Sequence, residues 1–466
     1  MKKTIIILTI SILFAGCKDF LDITPKGKVI PKSITDYKEM LSDHDLFRVS
    51  TVNQLLLSDD ITIYADEAGS YFSPESTING YCYKDYIYES ASTTDDDWNR
   101  LYHQIYICNV VLENIDTAEG EDELLRNTVK GEALTHRSYA YFMLVNLYAK
   151  HYNPQTAADD PGVPMHLVPD INALLGRSTV KEVYDQMEAD LLEATKLLPT
   201  QRNYKNHPVQ ASAEGMLAKL YLYKGAYDKA LQYADKALQY NSFLYDYKTL
   251  NFMMPGMEFM GLLGYPNNDL LQNQECVWNK AGWDFFKYMI GVYLSDEHKA
   301  LYDPADKRLH FLVIPSSFFG PNLHGGVIYN KDMAHRAGVF TPELYLIRAE
   351  CSIRTGNIAA GIQDVNTLRE KRYYAGYTPL EATGFREESA LQLVINERRK
   401  ELFLDGWRLF DLKRMNLDPR FAKTITRTYD NKNYTLSPTD HNLVVAIPKK
   451  VIEMNPNIEQ NPRDNR

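Results

Sequence analysis

Past residue 15 the chain has no apolar run long enough to cross a bilayer, where a spanning helix needs ~20 residues, and this excludes a multi-span helical protein. Cysteine is scarce. Cys17, Cys82, Cys108, Cys276 and Cys351 lie far apart with no CxxC pair, so neither a disulfide-dense scaffold nor a cysteine metal site is indicated. Positive charge is in deficit, with 51 Lys and Arg against 61 Asp and Glu, and nucleic acid is an unsuitable partner because phosphate neutralisation needs a basic surface. Neither a G-x-S-x-G elbow nor an H-E-x-x-H helix occurs. The 21 Pro and 24 Gly are too few and too scattered for a fibrous or low-complexity chain. What abounds is tyrosine: 33 residues, more than the 18 Phe and 4 Trp together. Its flat apolar face and polar tip suit half-wet surfaces.

The start reads Met1, Lys2, Lys3 and then a nearly unbroken apolar run from Ile5 to Ala15. A basic start, a short apolar stretch and small residues before a break describe a secretory signal over residues 1–16. Ala15-Gly16-Cys17 resembles the lipobox of bacterial lipoproteins, with Phe14 where that pattern has Leu. The resemblance implies acylation of Cys17, which becomes the new N-terminus, and a lipidated tether over residues 17–33. Pro25, Gly27 and Pro31 mark that tether as extended.

The body beyond has helical patterning. Trp98, Leu101, Tyr102, Ile105, Cys108, Asn109 and Leu112 recur three and four residues apart. Thr94 to Asp97 supply capping oxygens at the head of that stripe. Ala133, Arg137, Ala140, Tyr141, Leu144 and Tyr148 form a second stripe. Thr179 and Glu182 form a capping box that opens a third helix, closed by Pro199. Over 211–240, Leu217, Ala218, Tyr221, Gly225, Tyr227, Ala230, Ala237 and Leu238 resemble a tetratricopeptide repeat, with Ala234 in place of the usual aromatic. A looser echo runs from Tyr345 to Leu368. Such helix pairs bury their faces only by stacking, and about four are expected. Two stretches, about 59–93 and about 241–340, do not read as helix. Long irregular insertions in a compact protein are usually functional. Glu275 to Asn279 suits a short strand.

Residues 391–414 read LQLVINERRKELFLDGWRLFDLKR. Arg398 falls in the middle of an apolar stripe, where a guanidinium needs carboxylate partners; Glu397, Glu401 and Asp411 are the candidates. This run resembles the C-terminal signature of the SusD/RagB family, nutrient-binding outer-membrane lipoproteins of Bacteroidetes. Cys17-Lys18-Asp19-Phe20-Leu21-Asp22, Ser58-Asp59-Asp60, Trp98 to Asn109, Pro161-Gly162-Val163-Pro164, Leu344 to Gly356 and the closing Asn455-Pro456 and Asn461-Pro462 follow in that family's order. The resemblance implies a mostly α fold: one SusD-like domain over 34–466, a helix-pair array with loop-rich insertions. It further implies a cell-surface protein that is not an enzyme and needs no cofactor. Its role would be to capture oligosaccharides, or peptides in some members, for a SusC-like TonB-dependent transporter.

A sugar ring stacks its C–H face on an exposed aromatic and bonds its hydroxyl edge to polar groups. Trp283 and Phe285, with Tyr71, Phe72, Tyr81 and Tyr83, are the candidate platform; the competing role for each is to pack loops on the helices. Trp278, Trp98 and Trp407 read as core. A protein-only scaffold and, less well supported, a glycoside hydrolase are the rival functions; the latter needs two carboxyls ~5–10 Å apart across one bond. Whether Asp59, Asp60, Asp66 and Glu67 hold calcium is left open by the sequence. The lipoprotein assignment predicts a mature N-terminus at an acylated Cys17. Mass spectrometry of the membrane fraction finding a free Lys18 or an intact Met1 would refute it.

Overall fold

Helices begin where the sequence places its capping side chains. Asp95 accepts from the backbone N–H of Asp97 and Trp98 at the head of α1 (Asp96–Asn114). Asp122 accepts from Leu125 N–H at the head of α2 (Glu123–Tyr148), and the reciprocal Thr179–Glu182 box opens α3 (Val180–Leu197). The computed structural model describes residues 30–464 apart from 69–74, 89, 91–94, 255, 257–260, 266–271, 281–291, 315–326 and 329–335. Among the described residues no helix is long and apolar enough to cross a membrane.

The 211–240 unit folds as a helix pair, α4 (Gln210–Lys224) and α5 (Tyr227–Tyr240), joined where Gly225 takes φ 73°. That left-handed conformation ends the first helix at little cost only for glycine. The echo forms a second pair, α6 (Thr341–Arg354) and α7 (Ile358–Arg372). A Cβ on Gly361 would lie 2.5 Å from Ile353 Cγ1 and 2.7 Å from the Ala349 carbonyl oxygen, so glycine sets how closely these two helices approach. The C-terminal signature spans α8 (Glu387–Glu401) and α9 (Arg408–Met415). Packing follows chain order: α2 lies against α1 and α3, α3 against α4, α5 between α4 and α6, and α6 against α7 and α8. The fold is mostly α, as expected. α2 is buried on every face from Val129 to Tyr148 except at Lys130. That makes it the central helix of the stack, where its sequence stripe reads only as amphipathic.

Strands are short and paired in twos. Cys276–Asn279, expected as a strand, pairs with Gly338–Phe340. The hairpin Ile425–Tyr429 with Lys432–Leu436 was not foreseen; it turns on Asp430 and Asn431, both at positive φ. The expectation that 59–93 and 241–340 lack helix is corrected: Asp296–Lys299 and Lys307–Leu312 are short helices in the second stretch, and in the first Glu75–Tyr81 is helical, packed on the helix Val52–Leu57. Tertiary contact there overrides the weak propensity of Ser, Thr, Asn and Gly. The expected cores hold. Trp278, Trp98 and Trp407 are buried, and Cys82, Cys108, Cys276 and Cys351 are buried free thiols. The tyrosines depart from the half-wet reading. Among the described residues, Tyr106, Tyr204, Tyr240 and Tyr374 are the exposed ones, and none belongs to the first aromatic stretch.

The insertion between α5 and α6 is fastened by a buried charge network. Arg372 of α7 donates to Glu401 of α8 at 2.9 Å and to Glu275 of the insertion at 2.7 Å. Arg308 of the insertion donates to Glu401 at 3.0 Å and also binds Glu397 and Asp306. Arg336 bonds Asp405 at 3.0 Å, Arg369 bonds Glu397 at 2.8 Å, and Lys400 bonds Asp306 at 3.0 Å. Five cations (Arg308, Arg336, Arg369, Arg372, Lys400) thus face five acids (Glu275, Asp306, Glu397, Glu401, Asp405). Burial would raise the Glu401 carboxyl, but Arg372, Arg308 and Arg336 outweigh it and hold it at about 2. Burial does win at Asp405, pushed up to about 7 against Arg336. Arg398 finds Asp411 at 2.7 Å, as expected, and Glu343 at 2.8 Å. Glu397 and Glu401, its other two expected partners, serve Arg308, Arg369 and Arg372 instead, because they face the insertion.

Removing one member leaves an unpaired buried charge, so Arg372→Met should cost about 3–5 kcal/mol in chemical denaturation. A depressed folded-state carboxyl stabilises above its unfolded value of 4.5, and that stability is lost as pH falls toward about 2. Acid unfolding of the native protein should therefore steepen below pH ~4.5. A melting temperature unchanged by Arg372→Met would show that the network carries no stability.

Candidate functional site

The two aromatic stretches, about 150 residues apart in sequence, meet in an antiparallel ladder. Ile61 pairs with Leu294, Thr62 with Tyr293 and Ile63 with Val292. In that register the chain leaving Ile63 and the chain arriving at Val292 run from the same end of the ladder. The rings of Tyr64 and Tyr293 meet edge to face there, 5.3 Å apart. The ladder's other end is locked by charge. Arg408 grips Asp59 through two bonds of 2.6 and 2.9 Å, with Lys423 Nζ at 2.6 Å. Arg399 reaches Asp60 at 2.6 Å, and His298 lies 2.8 Å from the same oxygen. Burial disfavours the Asp59 charge, but Arg408, Arg399 and Lys423 more than offset it and hold the carboxyl well below its usual range. Asp59 and Asp60 are thus taken up by cations, and no group of three or more metal-ligating side chains occurs among the described residues.

The segment before Val292 is rooted at its other end by Lys280. The Lys280 N–H donates to the Ala337 carbonyl at 2.8 Å, and its own carbonyl accepts from Val49 at 3.0 Å. Its ammonium is buried against the rings of Phe47, Tyr139 and Trp278, 5.1 to 5.6 Å from their centroids, and bonds Gln104 at 3.0 Å and His136 at 3.1 Å. Burial lowers this ammonium to about 7, with Cys108 and Glu132 pulling the other way. Next to it, a Cβ on Gly338 would sit 2.1 Å from the Trp278 carbonyl oxygen, so only glycine lets the partner strand close there. Lys280 and Val292, the described residues on either side of 281–291, are therefore both fixed to the body.

Of the six predicted ring contacts, Trp283, Phe285, Tyr71 and Phe72 lie outside the described residues. Tyr81 and Tyr83 are placed, and both are core: 1% and 0% exposed. The Arg427 guanidinium sits 4.3 Å from one ring centroid and 4.6 Å from the other, and donates to the Leu56 and Tyr81 carbonyls. Both rings are thereby spent on an internal cation, and neither presents a face to a ligand. Tyr81-Cys82-Tyr83 is an unbroken apolar triplet, a pattern that suits core better than rim. Sequence reasoning also missed Arg427, Lys280 and the Asp59–Arg408 pair, because each acts on a partner hundreds of residues away or on the far side of the stack.

Comparison with known proteins adds the following. A family described as starch-binding and associating with the outer membrane matches residues 19–222, and the SusD family matches residues 341–463. The stretch between them contains Trp283 and Phe285. The chain is similar over its length to SusD-like protein P25 of Formosa agariphila, at 20% identity with 98% of each chain covered. It is 26% identical to SusD-like protein P2 of the same organism over 50% of this chain and 45% of that one. Among solved structures it shares its fold with a SusD superfamily protein from Bacteroides thetaiotaomicron (TM-score 0.70, 20% identity, covering 92% of this chain and all of that one). It likewise shares its fold with a SusD-like carbohydrate binding protein from Bacteroides vulgatus (TM-score 0.65, 20% identity, 92% and 97% covered).

The buried placement of Tyr81 predicts that Tyr81→Ala lowers stability by about 3–5 kcal/mol through the cavity it leaves. Urea unfolding checks this; a stability within 1 kcal/mol of the native protein would return Tyr81 to the list of ligand-facing rings.

Proposed function

The chain belongs to the SusD/RagB family, and from that premise we propose that it is a glycan-binding lipoprotein of the outer membrane. It captures oligosaccharides at the cell surface and passes them to a SusC-like TonB-dependent transporter. In this reading residues 1–16 are the export signal, Cys17 carries the lipid and residues 17–33 are the tether. The body from 34 to 466 is the binding domain.

The observation that supports it most is the Ile61–Ile63 to Val292–Leu294 ladder. It sets side by side the strand end that precedes Tyr71 and Phe72 in the chain and the strand end that follows Trp283 and Phe285. Four aromatic rings on two segments whose described ends lie side by side suit a surface that takes the C–H faces of successive sugars. The clustered carboxylates of the body, Asp59, Asp60, Glu397 and Glu401, are committed to arginine and lysine. Acid–base catalysis needs such groups free to exchange protons, so binding without chemistry is the better account.

The test is retention of the soluble body, residues 18–466, in native gels cast with individual polysaccharides, followed by calorimetry on the one that retards it. Trp283→Ala should weaken that binding at least tenfold with little change in melting temperature. Equal affinity in the variant would remove Trp283 from the site, and release of reducing ends by the native protein would replace the capture role with hydrolysis.

A further inference from the structure

Two loops converge on the strand Cys276–Asn279 where it runs out into Lys280. One is the connection between α3 and α4. The Asn279 N–H donates to its Lys205 carbonyl at 2.7 Å, and the Trp278 indole N–H donates to its Asn206 carbonyl at 3.1 Å. The other is the stretch 43–49, whose Val49 N–H donates to the Lys280 carbonyl. The loops also touch each other. The Asn206 amide nitrogen lies 2.9 Å from His44 Nε2, and the His44 and His207 rings meet edge to face at 5.9 Å. Asn279 and Lys280 are the last described residues before Trp283 in the chain.

The α3–α4 connection is held firmly. The Gln210 N–H donates to the Pro199 carbonyl at 2.9 Å and closes its neck. Within it, Arg202 and His207 both bond the buried Glu132 carboxylate of α2 at 2.5 Å. Burial disfavours that charge, but His136, His207 and Arg202 more than offset it and hold the carboxyl below its ordinary range. The His207 N–H bonds the Tyr204 carbonyl at 3.3 Å. Main-chain bonds at 204, 205 and 206 and side-chain bonds at 202 and 207 thus fix the backbone that carries Tyr204.

What this fixed backbone presents to solvent is the Tyr204 ring. It is 62% exposed, more than any other Phe, Tyr or Trp among the described residues. Within that set no ring or cation lies against it and its hydroxyl makes no hydrogen bond. A tyrosine placed for stability turns its ring onto the body, as Tyr81, Tyr83 and Tyr139 do. The other exposed tyrosines differ in setting: Tyr106 and Tyr240 stand on helices, and Tyr374 has the Lys307 ammonium 5.6 Å from its ring. A free ring face takes the C–H face of a sugar. The neighbouring His44 ring and Asn206 amide supply polar groups for the hydroxyl edge. Rigid mounting leaves little ordering to be done on binding.

We propose that Tyr204 is a further stacking ring of the glycan site, a subsite for one sugar of the captured chain, with His44 and Asn206 bonding that sugar's hydroxyl edge. The proposal rests on the glycan-binding role. It extends the binding surface from the ladder at Val292 to the loops at Lys280, so that an oligosaccharide and not a single sugar is the unit recognised.

The probes are starch, xylan, laminarin, mannan and pectin, screened by native-gel retention of the soluble body, with calorimetry on the one retained. Tyr204→Ala should weaken that binding at least fivefold with the melting temperature unchanged. Tyr204→Phe, which keeps the ring face, should bind like the native protein, a difference that a purely structural role would not produce. Tetranitromethane, which nitrates exposed tyrosines, gives a second readout: peptide mapping should find Tyr204 nitrated in the free protein and protected by saturating polysaccharide. Native affinity in Tyr204→Ala, equal losses in both variants, or equal nitration with and without polysaccharide would each overturn the subsite. Binding weakened by Trp283→Ala but native in Tyr204→Ala defeats the subsite alone, whereas no retention by any of the polysaccharides defeats the glycan-binding role and the subsite with it.

Discussion

The arginine–carboxylate network under α7 and α8 holds the molecule's two kinds of structure together. A helix stack can bury its own apolar faces, but between α5 and α6 the described residues form only short strands and short helices, and the sequence there has few long apolar runs with which to pack. They are held instead by guanidinium forks. Arg308 and Arg336 reach out of the insertion to Glu397, Glu401 and Asp405, while Arg369 and Arg372 reach from the scaffold to Glu397, Glu401 and Glu275. A fork bonding a carboxylate through two nitrogens fixes orientation as well as distance. The signature run of α8 is therefore a mounting plate: Glu397, Arg398, Arg399, Lys400 and Glu401 each hold a partner of opposite charge.

From that mounting the rest follows in order. Arg399 of α8 and Arg408 of α9 capture Asp59 and Asp60, which set the start of the strand Ile61–Ile63. The strand Val292–Leu294 is laid against it by the insertion. Lys280, caged by three aromatic rings, pins the other root of the intervening segment. Each anchor is a buried, fully committed charge, and such groups tolerate little displacement. Binding loops gain precision when their roots are rigid, since less ordering remains to be done when a ligand arrives. The tyrosine wealth of the chain serves this frame more than the surface: Tyr81 and Tyr83 clasp Arg427, and Tyr139 helps to cage Lys280.

Much of the scaffold was legible in advance because its signals are local. The Thr179–Glu182 box, Gly225 between α4 and α5, and the three-and-four stripe of α1 each act within one or two turns of chain, so periodicity and capping chemistry suffice to find them. Trp278 was legible as core for the same reason. The helix Glu75–Tyr81 and the hairpin at Asp430-Asn431 were not, the first because its residues are poor helix formers held by the neighbouring Val52–Leu57, the second because short alternation beside a two-residue turn carries a weak signal. Tyr81 and Tyr83 were misread as ligand-facing for a similar reason. Composition picks out an aromatic stretch, but only packing tells a ring that covers Arg427 from one free to meet a ligand.

The amino-acid order alone established a mostly helical body, its caps and turns, the family resemblance carried by ordered motifs, and two aromatic stretches unlike the rest. All of these depend on neighbours within a few residues or on motif order. Which carboxylate meets which guanidinium, which tyrosines are spent inside, and that residues 61–63 and 292–294 lie side by side were decided by the tertiary structure. Those facts depend on partners up to several hundred positions apart, and a buried ion pair or a strand register acquires its energy only when the fold brings both halves out of water together.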